Sequence, residues 1–181
     1  MAKSAITTYG EALFQIACES SSCIEMLEEV KELKNVVIAN PELKELMLNP
    51  RFSKEEHLSV IENVFKGKID DRIYSFLELL VQKGRYNYLE EILDYFILRV
   101  KEHLQIGQAT VSSAIEIDDD IKTQIKNKLL ATTEYKEIEI EYVIDPSLIG
   151  GMVIRIKDRI VDNSVKTKLE GIIRDLHKIQ V

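Results

Sequence analysis

Residues 136–144 read KEIEIEYVI. Ile138, Ile140, Tyr142 and Ile144 alternate with Glu137, Glu139 and Glu141. A period of two puts one set on each face of a strand, so this is a half-buried strand with an acidic outer face. Residues 151–158 repeat the pattern, with Met152, Ile154 and Ile156 alternating with Val153, Arg155 and Lys157. Asp145-Pro146-Ser147 supplies turn chemistry between the two. Paired antiparallel, they would set Arg155 and Lys157 on the same solvent face as Glu139 and Glu141, where opposite charges help set register.

Before these strands, residues 108–117 alternate Ala109, Val111, Ser113 and Ile115, which predicts a third strand. A helix headed by Asp118 to Asp120 and running to about Thr132 separates it from the next, its acidic start suiting the helix dipole. A last helix follows Asp162-Asn163-Ser164, with Val165, Leu169, Ile172, Leu176 and Ile179 close to a heptad seam.

Upstream of Gly107 the period is helical. Ile6, Tyr9, Leu13, Ile16 and Ala17 form one stripe, and a second helix spans about Ser22–Val37. Asn40-Pro41 reads as an N-cap followed by Pro at the first helical position of PELKELML, which must stop before Asn49-Pro50. Ser53 to Glu56 fits a capping box whose helix ends near Gly67. A fifth helix from about Asp70 carries Ile73, Phe76, Leu77, Leu80 and Val81 on one face and meets Gly84, a natural left-handed cap. The sixth, from about Asn87 to Leu104, carries Leu89, Ile92, Leu93, Phe96 and Val100, with Tyr95, Ile97 and Leu98 widening the stripe.

The expected fold is therefore mostly α: a six-helix bundle over residues 1–105, then a small α+β domain over 106–181. No Gly/Ser/Pro-rich linker separates them. A length of 181 residues accommodates two small domains, and 45% apolar content is normal for packed cores.

Composition narrows function by exclusion. A net charge of −7, with no long basic run, argues against nucleic acid and against adhesion to anionic lipid. No apolar run has the ~18 residues a membrane span needs, so no direct membrane insertion is expected. The first residues, with Glu11 in the would-be apolar segment, do not read as a signal peptide.

The search for chemistry finds no cofactor or metal motif and no catalytic residues. Gly67-Lys68 lacks the upstream Gly of a phosphate loop, and Gly150-Gly151 precedes a strand, where it reads as a tight bend or bulge. Cys18 and Cys23 are not spaced as C-x-x-C and have no second Cys pair or neighbouring His, so they read as reduced, half-buried small apolar residues. His57, His103 and His177 stand isolated among charged neighbours and read as solvated. Carboxylates fall beside lysines, as in Glu28-Glu29 with Lys31, Glu32 and Lys34, a pattern of solvated helix faces. What remains is interaction surface.

Three stretches then resemble one known family. Tyr9-x-x-Ala12-x-Phe14 is similar to the opening of the F-type ATP synthase delta subunit and its mitochondrial relative, the oligomycin-sensitivity-conferring protein. Leu79-Leu80-Val81-Gln82-Lys83-Gly84-Arg85 resembles the end of that family's fifth helix. Ile149-Gly150-Gly151-Met152-Val153-Ile154-Arg155-Ile156, followed by Asp158, Val161-Asp162, Ser164 and Leu169, resembles its C-terminal signature. One departure is Lys157, where many members carry Gly before the Asp, which implies a differently shaped turn.

The resemblance implies a bacterial, non-catalytic stator subunit, peripheral on the cytoplasmic face of the cell membrane. It would join the catalytic headpiece to the peripheral stalk so that proton-driven rotation is coupled to ATP synthesis. The implied partners are the N-terminal helix of an alpha subunit and the C-terminal ends of the b subunits. Carried over, the alpha-subunit groove between helices one and five would use Tyr9, Leu13, Phe14, Phe76, Leu77, Leu80, Gly84 and Arg85. The b-subunit contact would use Leu169, Ile173 and Leu176 on the last helix. The competing reading is a generic helical peptide-binding adaptor unrelated to ATP synthase.

Overall fold

The computed structural model describes the backbone of residues 2–179 and the side chains of residues 4–175. The chain divides into two compact units, residues 1–101 and 102–181. The division falls inside the last turn of the sixth helix, a few residues before the boundary at 105/106 expected from the change of period.

The first unit holds six α-helices: α1 (Ala2–Glu19), α2 (Cys23–Ala39), α3 (Pro41–Leu48), α4 (Lys54–Phe65), α5 (Asp71–Gln82) and α6 (Leu89–His103). Each boundary has a local cause. Ser53 accepts from the Glu56 amide at 3.2 Å while Glu56 accepts from the Ser53 amide at 2.7 Å, completing the capping box of α4. Asp70 caps α5 by accepting from the Arg72 amide at 2.8 Å. Gly84 takes φ +63° and α5 ends in a Schellman turn, with Arg85 N–H donating to Leu80 C=O at 2.8 Å.

Asn40 departs from expectation. Its side chain makes no cap bond to α3 and instead donates to Val36 C=O at 2.7 Å, so it closes α2 rather than opening α3. The bundle core takes Leu13, Val30, Ile61, Ile73, Leu77, Leu80, Ile92, Leu93, Phe96 and Val100, all with almost no exposure. Leu98, expected to widen the apolar stripe of α6, is exposed, as is Ile16 of α1. A polar clamp ties α1 to α6: Tyr95 Oη and Arg99 Nε both donate to Glu11 at 3.2 Å, and the Arg99 guanidinium lies 5.1 Å from the Phe14 ring centroid.

The second unit is a four-stranded sheet with two helices. Its elements are β1 (Ile106–Ser113), α7 (Asp119–Thr132), β2 (Glu137–Ile144), β3 (Met152–Ile156), β4 (Arg159–Asp162) and α8 (Val165–Ile179). The strand order is β2-β1-β3-β4. β1 pairs parallel with β2 through the α7 crossover and antiparallel with β3. The expected direct pairing of residues 136–144 with 151–158 is therefore corrected: β1 lies between them. The shared face survives, because Thr110 of β1 is opposite Glu141 on one side and Arg155 on the other.

β1 also starts and stops earlier than expected. Ile115, read as its last inward residue, lies beyond the strand and is exposed. β4 had no expectation attached. It follows a two-residue turn at Lys157-Asp158, where Lys157 carries φ +46° and Ile156 pairs with Arg159. Positive φ at the first loop position favours Gly, so Lys157 is held where the resembling family carries Gly; its ammonium lies 5.5 Å from the Tyr135 ring centroid.

Candidate docking surfaces

Six carboxylates are engaged by hydrogen-bond donors within the fold. Glu11, Glu56, Asp70, Asp119, Asp145 and Asp162 all have carboxyl groups held below the usual range. Each has a hydrogen-bond donor as the largest cause: Arg99, Ser53, Arg72, Lys122, Ser147 and Ser164 respectively. A general acid needs the opposite shift. His57, expected to be solvated, is half-buried, with Nε2 3.2 Å from Leu46 C=O and its ring 6.1 Å from that of Phe52. His103 is exposed, and His177 lies outside the described side chains.

On the first unit, α1 and α5 touch. The structure sorts the eight expected groove residues by burial. Leu13, Leu77 and Leu80 are 0% exposed and Phe76 is buried, so these four belong to the bundle core and line no open groove. The reason lies in the stripe itself: positions 73, 76, 77, 80 and 81 are the inward face of α5, and one helix cannot present the same face to core and partner. Tyr9 and Phe14 are half-buried, while Gly84 and Arg85 are exposed at the end of α5. Two residues outside the expected set add apolar surface: Ile16 on α1 at 36% and Leu79 on α5 at 38% exposure. Ile16 is legible in the sequence as part of the apolar stripe; Leu79 stands inside the family-like motif with no role of its own.

On the second unit, α7 buries Ile125 and Leu129 against Ala109, Val111 and Ile138. A helix is ~10 Å wide, whereas four strands at ~4.8 Å spacing span nearly twice that. A groove of about 590 Å³ remains beside α7, lined among others by Ile121, Met152, Ile154, Ile156 and Val161. The sequence contained no separate signal for it, since the same Ile-rich alternation describes a covered and a half-covered face.

α8 begins close against this sheet. Val165 N–H donates to Gly150 C=O at 2.9 Å and Asn163 N–H to Met152 C=O at 3.0 Å. Gly151 has φ +73°, and a Cβ there would sit 2.3 Å from Asn163 O. The Gly-Gly pair thus permits a close backbone approach as well as a bend. Beyond its first turn α8 presents Leu169, Ile172 and Ile173 at 44%, 57% and 54% exposure. Of the three residues expected to meet a partner, Leu169 and Ile173 are exposed and Leu176 lies outside the described side chains.

These features define a class of chain: a helical bundle followed by an α+β unit, each carrying solvent-facing apolar area on named helices. Known proteins give the class its family. The model of the ATP synthase delta (OSCP) subunit family matches residues 6–176. The chain is 46% identical to ATP synthase subunit delta of Lachnoclostridium phytofermentans over 181 residues, covering 100% of both chains. It is 33% identical to ATP synthase subunit delta of Prochlorococcus marinus strain MIT 9301, over 97% of each. Its fold is similar to that of a chain in the cryo-EM structure of the Toxoplasma gondii mitochondrial ATP synthase hexamer, with a TM-score of 0.69, 16% identity, and coverage of 94% of this chain and 96% of that one.

The chain belongs to the ATP synthase delta (OSCP) subunit family. It is accordingly a subunit of the complex that couples ion transport to ATP synthesis. A generic adaptor unrelated to that complex is not favoured.

Proposed function

We propose that this subunit is the non-catalytic stator linker, holding the catalytic headpiece to the membrane-anchored peripheral stalk at the cytoplasmic face of the bacterial membrane. The first unit takes the N-terminal helix of an alpha subunit, and the second takes the ends of the b subunits. The observation that carries this reading is that each of two separately built units has its own exposed apolar helix surface, while the carboxylates with shifted pKa are committed to caps and ion pairs. No described helix is long and apolar enough to cross a membrane, which suits peripheral attachment through partners.

The mechanical logic is simple. A rotor transmits torque only if the ring around it is held still, and holding requires affinity and stiffness rather than bond chemistry. Covering what remains exposed of Tyr9, Phe14, Ile16 and Leu79 contributes only a fraction of the roughly 1.5–3 kcal/mol that full burial of a large apolar side chain gives. Association itself costs ~4–15 kcal/mol. A single contact of this size is weak, and attachment at both ends recovers affinity through effective concentration.

The test is calorimetric titration of the full chain with an alpha-subunit N-terminal peptide. Ile16→Asp combined with Leu79→Asp should weaken binding more than tenfold with an unchanged far-UV helix signal. Unchanged affinity in that double variant sinks the assignment to α1 and α5. Leu77 is unsuited to this purpose: at 0% exposure, Leu77→Ala should lower stability by ~2–5 kcal/mol.

A further inference from the structure

The α1–α2 corner holds the chain's two cysteines face to face. Cys18 Sγ and Cys23 Sγ are 3.5 Å apart, both half-buried and both reduced. A disulfide requires ~2.0 Å, so the sulfurs are already in van der Waals contact and ~1.5 Å from bonding distance.

The corner that holds them is built by hydrogen bonds. Ser21 adopts φ +52° without being glycine, and Ser22 N–H donates to Ala17 C=O at 3.1 Å while Ser21 N–H donates to Cys18 C=O at 3.1 Å. This is a Schellman ending with serine at the left-handed position. Ser20 and Ser22 hydroxyls lie 2.7 Å apart, and Arg72 Nη1 donates to Ser22 Oγ at 2.7 Å. Arg72 is itself fixed by Asp70, which accepts from Nε at 2.8 Å and Nη2 at 2.6 Å. The corner is thus clamped from α5, and the thiols do not depend on a mobile loop to meet.

We propose that Cys18 and Cys23 form a reversible dithiol–disulfide pair, a modification site that covalently joins the end of α1 to the start of α2. The oxidant class is a small-molecule disulfide. One cysteine thiolate attacks a sulfur of the oxidant, forming a mixed disulfide and releasing one thiolate. The second cysteine thiolate then attacks the protein sulfur of that mixed disulfide, closing the Cys18–Cys23 bond and releasing the second thiolate. Two electrons pass from the protein to the oxidant, and the two cysteine protons end on the leaving thiolates. Burial, with Cys23 beside it, pushes the Cys18 thiol up. The inference is independent of the docking surfaces.

The test uses the full chain in mixtures of reduced and oxidised glutathione, native and in urea, quenched with acid and trapped with N-ethylmaleimide. The expected native product is a monomer that has lost two hydrogens, takes up no maleimide and yields a Cys18–Cys23 linked peptide. The native chain should reach half-oxidation in a mixture about tenfold more reducing than the urea-unfolded chain requires, because the fold presents the sulfurs to each other. Cys18→Ser and Cys23→Ser should each stop at a single glutathione adduct. Glutathione on both thiols, a disulfide-linked dimer, or a native chain harder to oxidise than the unfolded one would each overturn the proposal.

Discussion

Gly10 is buried in the middle of α1, where alanine would ordinarily be the better helix former by ~1 kcal/mol. A Cβ built there lies 2.4 Å from Tyr95 Cδ1 and 3.1 Å from Tyr95 Cγ, and that ring is held by its hydroxyl on Glu11. Overpacking costs ~1–3 kcal/mol and outweighs the propensity gain. Gly10→Ala should therefore lower the thermal midpoint; a rise would mean that α6 gives way freely. Tyr86 is the converse case. Its hydroxyl is buried with no hydrogen-bond partner among the described residues, and burial pushes its pKa to about 12. Removing an unsatisfied polar group recovers part of a ~1–3 kcal/mol desolvation cost, so Tyr86→Phe should match or exceed the parent in urea unfolding.

Asp70 illustrates linkage at the same scale. The Arg72 side chain is the largest cause holding its carboxyl below the usual range. A depressed folded-state pKa adds stability that is complete above the unfolded value of ~3.9 and disappears as pH falls through the folded value. Asp70→Asn keeps a good cap but removes the charge. Its urea midpoint should lie below the parent's at neutral pH and converge with it in acid. Parallel curves across that range would show that the ion pair contributes nothing measurable.

At the scale of elements, helices were legible because their stop signals are local. The capping box at Ser53, the glycine at 84 and the proline at 41 each act within one turn of the chain, and α3, α4 and α5 fall within a few residues of their expected limits. Strand existence was legible for the same reason, since alternation is a local property. Strand pairing was not: that β1 separates β2 from β3 depends on contacts spread over the whole second unit. β4 escaped notice because Arg159–Asp162 is short and exposed throughout, leaving no alternation to detect. The expected docking residues show a related ambiguity. An apolar stripe identifies a buried face but does not say whether core or partner buries it, and Leu13, Phe76, Leu77 and Leu80 went to the core. The two side chains proposed to meet a partner, Ile16 and Leu79, are partly exposed at the margin of their stripes, where periodicity is weakest. The double substitution at those positions tests the margin without disturbing the centre.

At the scale of the molecule, each of the two units is compact and has its own apolar core. Family membership, resting on matches along nearly the whole chain, gives what periodicity alone does not: which complex the chain belongs to. The placement of β1 has one more consequence, for the order in which the chain acquires its structure. In the first unit α2 packs on α1, α3 on α2 and α5 on α4, so part of the bundle can form as the chain emerges from synthesis, while α1 still waits for α5 and α6. The central strand of the second unit has no local pairing at all: it must wait for β2 and β3, whose partner residues lie about 31 to 47 positions further on, and such distant closure slows folding. Refolding from urea should therefore resolve into a fast phase seen by Tyr86 and Tyr88 in the bundle and a slower one seen by Tyr135 and Tyr142 beside the sheet. A single phase common to both sets of probes would mean that the two halves acquire their structure together.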